Sequence, residues 1–503
     1  MMLVLVLLGV CSLVELSLWW TPTWRLRTVL SVVVSLGLVG ATAKLATLTP
    51  TLAVAFVAVA NAYRAINLLR IAHGQTNADY LARVARDTSL WLISLQVMLI
   101  SLSFLKARYH VHSPHGWEVL AAAQLIAATL LYLSTARNLR KIRPSAAASH
   151  YADKDLPSIT VAIPARNETR ELEECLRSLT ASNYPKLEII VLDDCSQNRR
   201  TPEIIKQFAH DGVRFIAGEV PPSNWLAKNF AYEQLAKQAS GEIVLFCGID
   251  ARFQPNSLRI LIELMLDKKK SMMSIVPANT APSLHDFEAH MVQPSRYAWE
   301  LVLPRRMLNR PPVLSTCWMI TATALHKAGG FKAVNHSISP ESFFARFTAT
   351  HDDGYSFMQS DQTIGLASAK TYASQRATAI RTRYPQLHRR PELVASLSIV
   401  ELFLLYAPYV MLLIGLISQF WVLAGLSAAT CLLLGAMYSR ILNLTYRRHL
   451  LRGWWLLPFA TLYDIAILNF SMYQYEFKEV IWKGRNVCIP VMHVIPRLPK
   501  LPN

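Results

Sequence analysis

The stretch that decides the fold runs from Pro157 to Phe253. It opens PSITVAIPARNETRELEECLRSLTASNYPKLEIIVLDDCSQ (157–197), continues through EVPPSNWLAKNFAYEQLAKQ (219–238) and closes with GEIVLFCGIDARF (241–253). Short apolar, β-branched runs at Ile159 to Ile163, Ile189 to Leu192 and Ile243 to Phe246 alternate with segments of helical period. That is the pattern of a parallel sheet covered by helices. Polar residues gather where those strands stop. In an open α/β sheet the carboxyl ends of the strands are where ligands bind.

Outward from this core the chain turns apolar. Of 503 residues 52% are hydrophobic and the mean hydropathy is +0.26, too apolar for an ordinary soluble enzyme of several domains, so membrane spans are expected. Five runs precede the core: Leu3 to Trp20, Val29 to Thr47, Leu52 to Leu69, Leu90 to Leu105 and Trp117 to Tyr132. The first lacks a basic leader and reads as a retained span. Three runs follow: Leu397 to Ile417, Phe420 to Tyr438 and Trp454 to Met472. The organisation read from this is an N-terminal membrane region of about five helices (1–150), a central α/β domain (151–392), a C-terminal membrane region of two to three helices (393–475) and a basic tail (476–503).

The formal net charge is +18, and the cations collect beside apolar runs: Arg25 and Arg27, Arg137 to Arg143, Arg389 and Arg390, Arg447 and Arg448. Anchoring to anionic headgroups accounts for that placement, and no basic stripe interleaved with stacking aromatics points to nucleic acid. By the positive-inside rule the central domain is cytoplasmic and the N-terminus outside. Three full C-terminal spans would leave the basic tail outside. Either one run is re-entrant or interfacial, with the last carrying Pro458 and Asp464 and the first Glu401 and Pro408, or the tail is an exception; a cytoplasmic C-terminus is favoured.

Seven scattered cysteines form neither a CxxC pair nor a disulfide framework, and a reducing compartment fits. Asn61, Arg64 and Asn67 share one face of the third run, serving helix packing or lining a headgroup cavity. His110, His112 and His115 lack carboxylate or cysteine partners for a metal. The segment Phe287 to Arg310, with Met291, Tyr297, Trp299, Leu303, Met307 and the pair Arg305 and Arg306, is amphipathic and reads as an interfacial or a core helix.

The motifs at the strand ends resemble those of family-2 inverting glycosyltransferases of the GT-A fold, over about Leu156 to Arg390. Ile163-Pro164-Ala165-Arg166-Asn167-Glu168 is similar to the family's P-x-(R/Y)-N-E turn, and Asp193-Asp194-Cys195-Ser196 to its DD-x-S motif. The resemblance implies that Pro164, Arg166, Asn167, Glu168, Asp193 and Asp194 hold the nucleoside of a sugar nucleotide, expected to be UDP-linked. Carboxylates suit imide N–H and ribose hydroxyl donors. Pro221 to Asn229 resembles the P-P-x-G-W-x-G-K segment of membrane members that glycosylate carotenoids, hopanoids and ceramides, with Asn224 and Ala227 in place of both glycines. Lys228 at a helix start is then the diphosphate residue.

Phe246-Cys247-Gly248-Ile249-Asp250 stands where the family has L-D-A-D, so Gly248 replaces the first carboxylate and Asp250 is left as the ligand of Mg²⁺ or Mn²⁺. One carboxylate suffices in principle, because such ions keep waters and lean on phosphate oxygens. After Gly329-Gly330-Phe331 the family's E-D pair is represented by Glu341, the expected general base. Its Asp partner is missing, Asp352 and Asp353 could substitute, and a plain helix-start carboxylate is the alternative. The closing Q-x-x-R-W is degenerate: Gln375, Arg381, Arg383 and Tyr384 are present at other spacings. Arg381 and Arg383 meet the diphosphate in one reading, and Arg389 and Arg390 sit on headgroups in the other. Trp225, Trp318, Gln375 and Tyr384 are the implied acceptor or interface residues.

The expectation is a multi-pass plasma-membrane enzyme that moves one sugar to a membrane lipid with inversion. A processive polysaccharide synthase, or an inactive module that binds sugar nucleotides, are the alternatives.

Overall fold

β-branched residues at alternate positions build the central strands. In the computed structural model β1 (Ile159–Ala165) pairs in parallel with β2 (Leu187–Asp193) and β4 (Ile243–Cys247), and β2 pairs in parallel with β3 (Val213–Ala217). The structure describes residues 115–144, 151–279, 311–351, 354–446 and 453–488, the helix at 25–48, and scattered positions within 7–14, 57–69 and 291–302. The expected span Leu90 to Leu105, Arg64 and Asn67, His110 and His112, Arg305 to Met307, Asp352 and Asp353, and the tail beyond Cys488 lie outside the described residues.

The sheet has seven strands in the order β3-β2-β1-β4-β8-β6-β9, with β6 (Met272–Val276), β8 (Cys317–Thr321) and β9 (Tyr355–Gln359) completing it. Strand β8 is antiparallel to both neighbours. The sheet is therefore mixed: the three runs read from the sequence as parallel strands, β1, β2 and β4, are parallel, and β8, an apolar run whose direction the sequence does not reveal, opposes them. A smaller sheet, β5 (Ala251–Arg252), β10 (Ala367–Ser368) and β7 (Ala278–Asn279), lies just beyond the end of β4.

Alternation along each strand feeds two cores. Ile159, Val161, Ile163, Leu245 and Cys247 enter one, with Leu172, Leu176 and Leu261 from the helices. Ala162, Val244 and Phe246 enter the other, where the rings of Tyr232, Phe246, Trp318, Phe331 and Phe344 pack. Trp318 stacks on Phe246 at a ring separation of 4.6 Å and on Phe344 at 5.7 Å.

The chain forms two compact units, Met1–Leu120 with Leu387–Val400, and Ala121–Gln386 with Glu401–Asn503. In the first, α1 (Arg25–Leu48) is apolar over Val32–Leu45. Helix α2 (His115–Ile142) leads into the second. Among the described residues four helical stretches are long and apolar enough to cross a membrane: Gly116–Ile142, Pro391–Ile417, Trp421–Tyr446 and Gly453–Phe477. The described part of the amphipathic segment, Tyr297 and Leu301 above all, is buried among residues of these helices, with Leu434, Tyr438, Leu456 and Ala460.

Helices α3 (Trp421–Tyr446) and α4 (Gly453–Phe477) cross closely. A Cβ at Gly453 would stand 2.7 Å from the Ser439 Cα, so only glycine permits this approach. Helix α5 (Tyr372–Gln386) lies along α4. Arg383 pairs with Asp464, Ser471 donates to the Ile380 carbonyl, Tyr475 donates to the Arg381 carbonyl at 2.7 Å and Tyr384 to Glu476 at 2.6 Å. The polar residues that looked out of place in an apolar run thus bind a helix of the central domain. Beyond α4 the strands β11 (Ile481–Trp482) and β12 (Arg485–Asn486) form a hairpin whose two turn residues, Lys483 and Gly484, both have positive φ, as such short hairpins require. The hairpin rests on the central domain, which places the tail through Cys488 on that domain's side.

Removing the ring at the centre of the second core leaves a cavity, so Trp318→Ala should cost about 3–5 kcal/mol. Thermal unfolding of the purified protein should show a clearly lowered midpoint, and an unchanged midpoint would contradict the packing described.

Candidate active site

Because β1, β2 and β4 end at one edge, the loops after Ala165, Asp193 and Cys247 emerge together. The first two are laced to each other. Asn167, held at φ 54°, accepts the Gln197 N–H at 2.7 Å through its side-chain oxygen, and its own N–H donates to the Ser196 hydroxyl at 2.9 Å. Cys195 also has positive φ, at 52°. Non-glycine residues in this conformation mark a turn that the surroundings enforce. Asp193 caps its own turn, its carboxylate accepting the Ser196 N–H at 3.2 Å. Pro164 sits in β1 opposite Leu192.

Arg166 joins three segments. Its guanidinium donates to the carbonyls of Asp194 and Cys195, each at 2.6 Å, and to that of Lys483 in the tail hairpin at 2.9 Å. The hairpin also reaches the carboxylates: Arg485 Nη1 lies 2.7 Å from both Asp194 oxygens, and Lys483 pairs with Glu168. Burial pushes the Asp194 carboxyl up, against the pull of Arg485. These tail contacts are the functional residues the sequence reading missed. The signal was present as the basic Trp482-Lys483-Gly484-Arg485 in an otherwise nondescript tail.

Beside the hairpin is a cavity of about 200 Å³ lined by Pro222, Trp225, Lys228, Arg381, Trp482 and Arg485, among others. Lys228 lies in the first turn of the helix Ala227–Gln238, whose start no side chain caps. The Arg381 guanidinium lies 4.5 Å from the centre of the Trp482 ring. Three cations thus line one small cavity beside a helix N-terminus, an arrangement whose chemistry suits an anion. Arg383 does not join them: it is nine-tenths or more buried against Asp464.

At the end of β4, Asp250 receives a hydrogen bond from the Ser368 hydroxyl at 2.9 Å, and its backbone carbonyl accepts the Ala369 N–H at 2.8 Å. Its other carboxylate oxygen lies over the Cα of Gly248, in the space a side chain at 248 would enter. Glu341 is in the first turn of the helix Pro340–Thr350, buried, and its Oε2 has no hydrogen-bond partner among the described residues. A helix-start carboxylate in solvent would have satisfied that oxygen with water. At this buried position the oxygen can accept a further hydrogen bond. Burial first, then the charges of Glu341 and Asp250 among others, push the Tyr232 hydroxyl far up.

The remaining expected residues divide. Trp225 lines the cavity. Trp318 is fully buried in the aromatic core and does not present a surface to an acceptor, which corrects that reading. Gln375 is buried and donates to the Lys370 carbonyl at 3.1 Å and to the Tyr446 hydroxyl at 3.3 Å. Tyr384 is buried between α5 and α4, where it anchors one helix to the other. For the implied divalent ion, no three His, Cys, Asp or Glu side chains converge among the described residues. Asp250 alone supplies a hard carboxylate, a donor set that suits Mg²⁺ or Mn²⁺ when phosphate oxygens and water complete the shell.

Comparison with known proteins places a family match over this region. Residues 160–329 match the family described as "Glycosyl transferase family 2". The probable glycosyltransferase YdaM of Bacillus subtilis is 30% identical over 145 residues, 27% of this chain and 32% of that protein. Glycosyltransferase AglE of Haloferax volcanii is 35% identical over 95 residues, 18% of this chain and 30% of that protein. The 4,4'-diaponeurosporenoate glycosyltransferase of Staphylococcus haemolyticus is 31% identical over 122 residues, 24% of this chain and 32% of that protein. The chain thus spans about a third of the length of the curated relatives it matches. Among solved structures, the mannosyltransferase PcManGT of Pyrobaculum calidifontis, crystallised with GDP-Man and Mn²⁺, aligns with a TM-score of 0.44 at 17% identity, over 72% of this chain and 100% of its own. The region that matches the family, residues 160–329, includes most of the mixed α/β sheet.

Proposed function

We propose that this protein is an integral membrane glycosyltransferase that moves one sugar from a nucleotide sugar, UDP-linked, to a lipid acceptor with inversion. The observation that carries the reading is the edge where β1, β2 and β4 end. There the carboxylates of Asp193, Asp194 and Asp250 and the cavity lined by Lys228, Arg381 and Arg485 lie around strand ends of a family 2 domain. The relative that acts on diaponeurosporenoate, by its name, supports an apolar acceptor.

In this reading the Asp193 and Asp194 loop holds the nucleoside, with Arg166 fixing its backbone. Lys228 and Arg381, with Arg485 of the tail, meet the diphosphate, whose charge grows as the sugar departs. Asp250 holds the divalent ion, which supplies charge neutralisation at the leaving group. Glu341 takes the proton of the acceptor hydroxyl. Its buried position with one oxygen unpartnered leaves that oxygen open to an acceptor hydroxyl. The long apolar helices flanking the domain hold it at a membrane, expected to be the plasma membrane, with the domain on the cytoplasmic face. A lipid acceptor then meets the site without leaving the bilayer.

Membranes carrying the protein should transfer radiolabel from a UDP-sugar into extractable lipid. Asp250→Asn and chelator should each abolish that label, and Glu341→Gln should lower kcat by about 10²–10⁴-fold with a smaller change in KM. Label in insoluble polymer, or none from any donor, would overturn the reading. Replacement of one cation at the cavity, Arg485→Gln, should raise the donor KM roughly tenfold or more, as loss of a charge-assisted hydrogen bond implies. An unchanged donor KM would remove Arg485 from the donor site.

A further inference from the structure

A second cleft lies away from the site described, and its chemistry is different. Its volume is about 790 Å³, and the end of α2 contributes Arg140 and Arg143 to it, α3 contributes Arg440 and Asn443, and the loop after β9 contributes Asp361 and Gln362. Such a volume holds a small polar headgroup. Along the sheet, β9 stands five strand spacings from β2, roughly 24 Å at ~4.8 Å per strand. The cleft shares no lining residue with the cavity at Lys228. It is therefore not a subsite for the donor diphosphate.

Charge and level together point to its ligand. Arg140, Arg143 and Arg440 are exposed, and among the described residues no carboxylate pairs with any of them. The one acid in the lining, Asp361, gives an oxygen to the Ile364 N–H at 2.9 Å. Arg440 is oriented by the Tyr132 ring, 4.8 Å from its centre, so one guanidinium is placed in advance rather than left to roam. Both helices are long and apolar enough to span a membrane, and both bring their C-terminal ends to this cleft. On α2 the side chains of Ile126, Leu130 and Leu133 are more than half exposed, and Leu133 precedes Arg140 by about 10 Å of helix rise. The cleft thus opens at the polar border of a lipid-facing surface. Basic residues at helix ends are general in membrane proteins. What is particular here is their convergence on a concave site with amide side chains able to hydrogen-bond an ester oxygen.

We propose that this cleft binds the phosphate of an anionic membrane lipid, with Arg140, Arg143 and Arg440 as its ligands, separately from the transfer site. The test is native mass spectrometry of the full chain released from nanodiscs of phosphatidylcholine containing phosphatidylglycerol, which counts the retained lipid. Wild type should retain phosphatidylglycerol over phosphatidylcholine. Arg140→Gln with Arg143→Gln, and separately Arg440→Gln, should lower that retention about tenfold or more, as loss of a charge-assisted contact implies. The surface variant Arg200→Gln should keep it, and excess inorganic phosphate should not displace the lipid. Should Arg440→Gln fail to fold, Arg143→Gln alone, at an exposed helix end, decides. Equal retention of both lipids, equal loss in Arg200→Gln, or retention unchanged in the cleft variants would overturn the proposal. Displacement by inorganic phosphate at concentrations comparable with the lipid would assign the cleft to a free phosphate compound instead.

Discussion

The parallel registration of β1 with β2 and β4 is the constraint on which the rest depends. With Ala165 opposite Asp193 and Ala162 opposite Phe246, three chain segments far apart in sequence deliver polar residues to one edge. A shift by one residue would turn each strand's apolar set to the opposite face, and both cores would lose their order. Apolar side chains on both faces of the sheet therefore fix the position of carboxylates that themselves contribute nothing to packing. Arg166 then binds the edge together, with one guanidinium bridging the second loop and the tail hairpin.

That edge is tied to the apolar helices through α5. Its Arg383 and Tyr384 are committed to α4, while Arg381, two residues earlier, lines the cavity. One helix thus has one side bound to an apolar partner and another at that cavity. The hairpin that follows α4 returns to cover the carboxylates. Domain and helices are consequently not separable modules: the last apolar helix carries part of the site on its far end.

The strands of the first half were legible because short apolar, β-branched runs and turn residues agree at Ile159 to Ala165 and Leu187 to Asp193. The loops after them were singled out by their resemblance to the P-x-(R/Y)-N-E and DD-x-S motifs, and the fold brings them to one edge. The antiparallel β8 was not legible, since five apolar residues carry no direction. Trp318 could not be sorted from Trp225 by sequence, because an aromatic ring suits a core and a ligand surface equally. Asp464 in an apolar helix and Arg383 in a degenerate motif were each anomalies alone. They explain each other only once the fold brings them together across 81 residues. The pairing of Arg485 with Asp194, 291 residues apart, was signalled only by the basic run Trp482 to Arg485, which does not say what it meets. A basic tail reads as a headgroup anchor until its partner is seen.

The central claim is that the edge formed by β1, β2 and β4 is a donor site for a nucleoside diphosphate sugar. Titration calorimetry of the purified full chain with UDP in the presence of Mn²⁺ tests it most directly, with Asp194→Ala and Lys228→Ala beside the wild type and thermal unfolding to confirm that both variants are folded. The account predicts saturable binding to the wild type, weakened at least about tenfold in each folded variant. Absence of binding by the wild type for UDP and for other nucleoside diphosphates, or undiminished binding by both variants, would contradict it.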